Sequence, residues 1–396
     1  MPHGSPVQQL TEMPWSKART RAHAAPAALS PNIVSLADAA GHTLAEDLLT
    51  RTPLPAFDTA AMDGYAIAGS APYVILGEVR PGAPWNRPLG NGTSVAISTG
   101  AQVPVGTDAI IPIETAEILG STLVSSAQQA RTHIRRAGED ASIGALMSPA
   151  GVVIGPALLG LAASCGYDVL SVRPRPTVHI LITGDELRCN GVSGDGLVRD
   201  ALCPMLPSLV SQLGGTVTGV EHVPDHPSDK LGDAISAADA LNQGAVIVVT
   251  GSTSVGPTDR LRPFLRGQDA RWVVKSVACQ PGHPQLLAQL GTGAWVVGLP
   301  GNPFAALVAA HTLLGPLLAG LCAQPATGLP TAFLRGDVAC ARNATRLVPV
   351  AWDGPNVRAL AGHGSAFLRG AAVSDALAAL PPRWDRNQPV PLVLMR

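Results

Sequence analysis

Five short apolar runs dominate the middle of the chain: VHILIT (178–183), VTGVEHV (217–223), AVIVVT (245–250), WVVKSVA (272–278) and AWVVGL (294–299). They are rich in β-branched residues, and the stretches near 203–213, 228–241 and 258–266 between them carry helical spacing, with Ser228 placed to cap the second. Short strands alternating with amphipathic helices predict an α/β domain whose parallel sheet is covered on both faces. Ligands of an open α/β sheet bind beyond the carboxyl ends of its strands.

The turns after those strands are therefore where chemistry is expected. They read Gly184-Asp185-Glu186, Pro224-Asp225, Thr250-Gly251-Ser252-Thr253-Ser254-Val255-Gly256, Gln280-Pro281-Gly282-His283-Pro284 and Pro300-Gly301-Asn302-Pro303. Backbone N–H groups of a turn built from small and hydroxyl residues can cradle a phosphate, which singles out Thr250, Gly251, Ser252 and Gly256. Gly301 and Asn302 open a helix and offer a second anion site. Asp185, Glu186, Asp225 and Asp259 are expected to gather at this edge, and carboxylates beside a phosphate suggest Mg²⁺ held by Asp259 and Asp225. Helix capping is the alternative use of each acid.

Around this domain the pattern changes. Residues 51–135 show short runs, YVILGEV (73–79), SVAIST (94–99), AIIPIE (109–114) and TLVSS (122–126), divided by Gly, Pro and Asn turns. That is a β-rich module inserted between 1–50 and 136–176, and 325–396 reads as a second β-rich region. The expected architecture is thus multidomain: a linking segment (1–50 plus 136–176), an inserted β-rich domain (51–135), a central doubly wound α/β domain (177–324) and a C-terminal β-rich domain (325–396). Positions 1–30 read as polar and partly flexible, residues 33–50 as one short amphipathic helix, and 151–170 as a helix with Pro156 in its first turn.

Composition excludes several functions. With 27 basic and 28 acidic residues the net charge is −1, which argues against a nucleic-acid binder. Lys17, Lys230 and Lys275 are the only lysines, so chemistry that needs an ammonium group has few places to find one. The six cysteines form no CxxC pair, and reduced thiols of a cytoplasmic protein are expected. The N-terminus lacks a continuous apolar stretch of the signal-peptide kind. Residues 302–321 (NPFAALVAAHTLLGPLLAGL) approach the length of a membrane span, but Pro303, His311 and Pro316 interrupt them, so a helix buried in a large domain is expected instead.

Two further motifs are dense with special residues: PLPAFDTAAMDGYA (53–66) and RRAGEDASIG (135–144). Together with STGAQVPVGTDAIIPIE (98–114), ITGDEL (182–187), VPD (223–225), SVGPTD (254–259), PGHP (281–284) and GLPGNP (298–303), they occur in the order seen in molybdopterin molybdenumtransferases. The chain resembles this MoeA family, which includes the gephyrin E domain. The resemblance implies four domains, an elongated homodimer, and transfer of molybdate onto adenylylated molybdopterin with Mg²⁺ and release of AMP. It also implies catalytic roles for Asp63, Asp140, Glu186 and Asp225. Pterin–nucleotide or molybdate contacts would come from Pro281, Gly282 and His283 as well as the turns named above. The expected partners are small-molecule substrates, a second copy of the chain whose inserted module completes the site, and a molybdopterin adenylyltransferase as a candidate supplier.

The chain departs from the family pattern at four places. Ser252 replaces a glycine of the phosphate turn; Asp200-Ala201-Leu202 replaces D-S-N; Gln280 and His283 replace two lysines expected at molybdate; and Ala305 replaces a serine. Arg342, Arg346 and Ser365, in a Gly364-Ser365 turn, are the candidates to supply the missing charge and hydroxyl. Two readings stay open on this basis: an active transferase with altered molybdate ligands, or a paralogue that binds pterin–nucleotide or a protein and transfers metal poorly.

Overall fold

The computed structural model describes residues 12–125, 132–227, 229–241, 246–254, 259–362 and 364–395. Ser126, Ser228 and the Val255–Thr258 part of the phosphate turn, Gly256 included, lie outside the described residues.

The central sheet runs Thr216–Val223, Thr177–Thr183, Val246–Thr250, Trp295–Leu299, Leu286–Gln289, Arg271–Val274. Its first four strands are parallel, and Leu286–Gln289, missed in the sequence, enters antiparallel. Period-2 alternation sends side chains to two separate cores. Ile180, Ile182, Val246 and Val248 pack beneath Leu202–Gln212 and Pro303–Leu321. Leu181, Ile247 and Val249 pack beneath Lys230–Leu241 and Leu261–Gly267. Helices on both faces make the domain doubly wound, so the chain is α/β and multidomain as expected.

WVVKSVA is not one strand. Arg271–Val274 stays in the central sheet, whereas Val277–Gln280 leaves it and pairs in parallel with Thr345–Asp353. The break is held by Ser276, whose hydroxyl donates to His283 O at 2.7 Å, and by Val277 N–H donating to the same carbonyl at 3.1 Å. The sheet that Val277–Gln280 joins has eight strands and includes Ala376–Leu380 and Val390–Leu394 from the tail.

The inserted module is a six-stranded sheet ordered Ile118–Leu119, Thr122–Leu123, Tyr73–Val79, Thr93–Ile97, Gly64–Ala68, Ala109–Pro112. Residues 33–50 are not a helix. Asn32–Ser35 and Thr43–Leu44 flank Val169–Arg173 in a three-stranded sheet, and only Leu36–Asp38 forms a helical turn. Ile33 and Val34 favour the pleated surface, and Gly41 at φ +77° turns the chain where a helix would have had to continue. The 151–170 stretch likewise contains a shorter helix, Pro156–Ser164, with Pro156 in its first turn, followed by the strand. Part of the N-terminal segment read as flexible is the helix Trp15–Ala24, whose Trp15, Ala18 and Ala22 are buried.

The long helix Pro303–Leu321 is apolar enough to cross a membrane by length and composition, yet 83% of its most apolar window is buried inside the protein. It carries a π turn at Ala310–Leu314, where Gly315 N–H donates to Ala310 O. In that register His311 O would pair with residue 316, but Pro316 has no N–H. The orphaned carbonyl accepts instead from the Arg19 guanidinium, which ties the first helix to the last helix of the domain.

Candidate functional site

The turns after Thr183 and Val223 close on one another. Asp225 N–H donates to Asp185 Oδ1 at 3.0 Å, and Asp185 N–H donates to Asp225 Oδ2 at 3.4 Å. His226 Nδ1 lies 3.0 Å from Asp185 Oδ2, and this contact is the largest cause holding the Asp185 carboxyl below its ordinary pKa; the Asp225 backbone N–H adds to it. Gly184 adopts φ +138°, a conformation that favours glycine, and the Glu186 carboxylate folds back to 2.7 Å from where a Gly184 Cβ would stand. Glu186 thus lies folded over its own turn.

The Thr250–Ser254 turn, expected from the sequence to cradle a phosphate, is anchored from below. Gly251 N–H donates to Leu299 O at 2.9 Å, and Thr183 Oγ1 donates to Thr250 O at 2.7 Å. A Cβ at Gly251, φ +72°, would meet Thr183 Oγ1 at 2.6 Å. Ser252 stands where a glycine is expected and adopts φ +49°, a left-handed conformation that costs a non-glycine residue about 1–2 kcal/mol. Asp259 accepts from Ser254 N–H at 2.9 Å, so its carboxylate braces the same turn. Gly301 packs directly against it, with the Gly251 Cα 3.7 Å from where a Gly301 Cβ would be.

The Gln280–Pro284 turn reaches this edge from the neighbouring sheet. It lines a cavity of about 400 Å³ together with Pro300, Asn302, Ala305, Arg346, Leu347, Gly364 and Ser365. Gln280 is the register partner of Arg346. Ser365 O accepts from Ala305 N–H at 3.1 Å, and Asn302 Nδ2 lies 3.4 Å from Ser365 Oγ, so the tail supplies a hydroxyl beside the position where the family pattern has a serine. Of the two arginines considered for this role, Arg346 lines the cavity and Arg342 does not.

The acids of the inserted module are held locally. Asp63 Oδ1 accepts from Thr99 N–H at 2.6 Å and Thr99 Oγ1 at 2.9 Å, and the backbone hydrogen bond is the main cause of its lowered pKa. Asp140 is exposed, with its N–H bonded to Leu54 O at 2.9 Å. Neither set of partners includes a sheet-edge acid. Asp200, in the altered D-S-N motif, accepts from Leu202 and Cys203 N–H and caps the following helix. The expected gathering of all four sheet-edge acids is only partial: among the described residues no three His, Cys, Asp or Glu groups converge as a metal cluster.

Sequence reading missed two contributors. Arg262 is buried at 3% exposure, and the sequence gives no sign of this, because Arg260 and Arg266 flank it at the same short helix. Gln285 is fully buried and donates to Gly282 O at 2.9 Å and to Cys279 Sγ at 3.1 Å, which supports the Pro281–Pro284 turn from inside.

Residues 13–166 match the family described as MoeA N-terminal region (domain I and II), and residues 179–320 match a probable molybdopterin binding domain. A molybdopterin molybdenumtransferase of Haemophilus influenzae is 31% identical over 310 residues, 76% of this chain and 75% of that protein. Molybdopterin molybdenumtransferase 2 of Mycobacterium tuberculosis is 33% identical over 328 residues, 77% of this chain and 78% of that protein. The crystal structure of a molybdopterin biosynthesis MoeA protein from Pyrococcus horikoshii superposes with a TM-score of 0.78 at 20% identity, covering 97% of this chain and 100% of that one, which shows a shared fold. With relatives of this identity and coverage, and family models that match residues 13–166 and 179–320, the chain belongs to the molybdopterin molybdenumtransferase (MoeA) family.

Proposed function

We propose that this protein is a molybdopterin molybdenumtransferase, which inserts molybdate into adenylylated molybdopterin and releases AMP in molybdenum cofactor biosynthesis. The observation that carries this reading is the continuity of two anion sites. The phosphate turn at Thr250–Ser254 and the cavity at Gln280–Pro284 share the wall Pro300–Asn302, so a ligand's phosphate and an oxyanion would lie side by side. The paralogue reading has less support, because the cavity retains a cation and a hydroxyl.

In this arrangement Arg346 and Ser365 face the molybdate oxygens in place of the family's lysine pair and serine. Pro281, Gly282 and His283 shape the same wall, Thr250, Gly251, Ser252, Gly256, Gly301 and Asn302 serve the pterin–nucleotide, and Glu186 and Asp225 stand over the reacting end. Mg²⁺ commonly takes one or two carboxylates and completes its shell with substrate phosphates and water. Asp259, braced by Ser254 N–H beyond Val246–Thr250, and Asp225, beyond Thr216–Val223 on the other side of Thr177–Thr183, are the two carboxylates that would hold it. When bound, the ion would neutralise charge on the departing phosphate.

Asp63 and Asp140 complete the site from a second copy in a homodimer. Mixing two impaired variants, Asp63→Asn and Asp259→Asn, at a limiting Mg²⁺ concentration tests this: mixed dimers regain activity if the site is shared between chains, and do not if each chain holds a whole site. The primary assay is AMP release and metal transfer on adenylylated molybdopterin at micromolar molybdate. Absence of transfer with intact pterin–nucleotide binding would favour the paralogue. A molybdopterin adenylyltransferase is the corresponding supplier of the adenylylated substrate.

A further inference from the structure

Arg262 sits beneath both anion-facing turns. Its Nε donates to Thr253 O at 2.7 Å, and one terminal NH₂ donates to Pro284 O at 3.1 Å. The two carbonyls belong to turns that reach the edge from different sheets. One planar guanidinium offers five donors in a rigid fork, so it can hold two carbonyls at a set separation, which a lysine cannot. Burial of this cation disfavours its charge, as does the neighbouring Arg266, and the nearby Asp259 favours it.

The consequence passes through one peptide group. Thr253 O and Ser254 N–H belong to the same planar amide. Arg262 fixes the carbonyl side, and the N–H side holds Asp259 Oδ1 at 2.9 Å. The orientation of the Asp259 carboxylate is therefore set through the peptide that Arg262 grips. On the other side Pro284 O is fixed at the end of the turn that lines the cavity. The packing above leaves no slack: a Cβ at Gly298 would meet Leu286 Cγ at 2.7 Å, Leu261 Cδ2 at 2.9 Å and Thr253 Cγ2 at 2.9 Å.

We propose that Arg262 is a positioning residue that joins the 250–254 and 281–284 turns into one unit, setting the Asp259 carboxylate and the oxyanion cavity at a fixed spacing. It touches neither substrate. The proposal rests on the transferase reading only for its kinetic arm.

Arg262→Lys and Arg262→Met test it. Lysine keeps the charge but loses the fork, so both variants should raise the half-saturating Mg²⁺ and the half-saturating molybdate for AMP release together, by about tenfold, with a smaller change in maximal rate. A purely structural arginine would lower the melting temperature and leave both half-saturations at wild-type values well below it; that result overturns the proposal. A second measurement needs neither activity nor a folded variant. In the wild type, the amides of Ser254 and Gln285 should exchange with a common opening free energy and a common urea dependence, as one cooperative unit does. Distinct opening energies would mean independent turns and sink the idea, even if the protein transfers molybdate. Common opening without transfer would spare the proposal and count against the transferase reading.

Discussion

Gln280 and Arg346 are register partners on adjacent parallel strands, so the position that lost a lysine stands beside an arginine contributed by the tail. Gln280, His283 and Arg346 thus line one cavity, and under the proposed function Arg346 offers there the charge that the two expected lysines would have carried. Arg346 is itself steadied by donating to Ala339 O at 2.6 Å, which leaves the rest of its fork available.

Arg346→Ala should therefore raise the half-saturating molybdate for transfer by about one to two decades, since a charge-assisted hydrogen bond contributes about 1.5–3 kcal/mol and each decade corresponds to about 1.4. Gln280→Lys with His283→Lys should lower it, with pterin–nucleotide binding nearly unchanged. Transfer rate against molybdate concentration decides both. If Arg346→Ala saturates like the wild type, molybdate is held elsewhere.

Asp259→Asn keeps an acceptor for Ser254 N–H and removes the charge. We expect an unchanged melting temperature and a Mg²⁺ requirement raised by about tenfold or more, the signature of a lost hard-cation ligand. Equal Mg²⁺ titrations of variant and wild type would restrict Asp259 to bracing the turn.

Ser252 occupies a left-handed position that glycine adopts without penalty. Ser252→Gly should be neutral to stabilising by about 0.5–1 kcal/mol once the larger entropy of the unfolded glycine is counted. Ser252→Val, β-branched and without a comfortable left-handed conformation, should destabilise the turn and weaken nucleotide binding. Chemical denaturation paired with AMP titration reads both effects, and a harmless valine would show that the turn is not strained.

His311 is 7% exposed and its Nε2 has no hydrogen-bond partner; burial, with the Arg19 charge adding, lowers its pKa to about 4. The unfolded imidazole binds protons near pH 6.5 and the folded one does not, so the unfolded state holds more protons between about pH 4 and 6.5. Stability from this site is complete above about pH 6.5 and is lost as pH falls toward 4, by about 3 kcal/mol. His311→Asn should flatten that part of the stability–pH profile. A wild-type slope unchanged in the variant would assign the acid sensitivity to other groups.

Much of the site was legible because its turns are written in local chemistry. Gly251 and Gly184 are needed where φ is positive, Gly251 also where a Cβ would collide with Thr183 Oγ1, and the strands before them alternate side chains between two cores. Such requirements act over short stretches and leave a direct mark on the chain. The 33–50 segment misled for the opposite reason: its helical spacing is brief, and partnership with Val169–Arg173, on the far side of the inserted module, decides its form. The same holds for WVVKSVA, whose apolar run conceals a transfer between sheets. Arg262 joins carbonyls of two turns distant in sequence, those of Thr253 and Pro284, and Arg346 of the tail reaches Gln280 through strand register. The sequence by itself determined the α/β class, the turns and their chemistry, since these follow from residue type and short-range periodicity. Which turns face each other, and which distant arginine stands where a lysine was lost, only the tertiary structure decided, because pairing between strands and the burial of a cation depend on partners that local sequence does not specify.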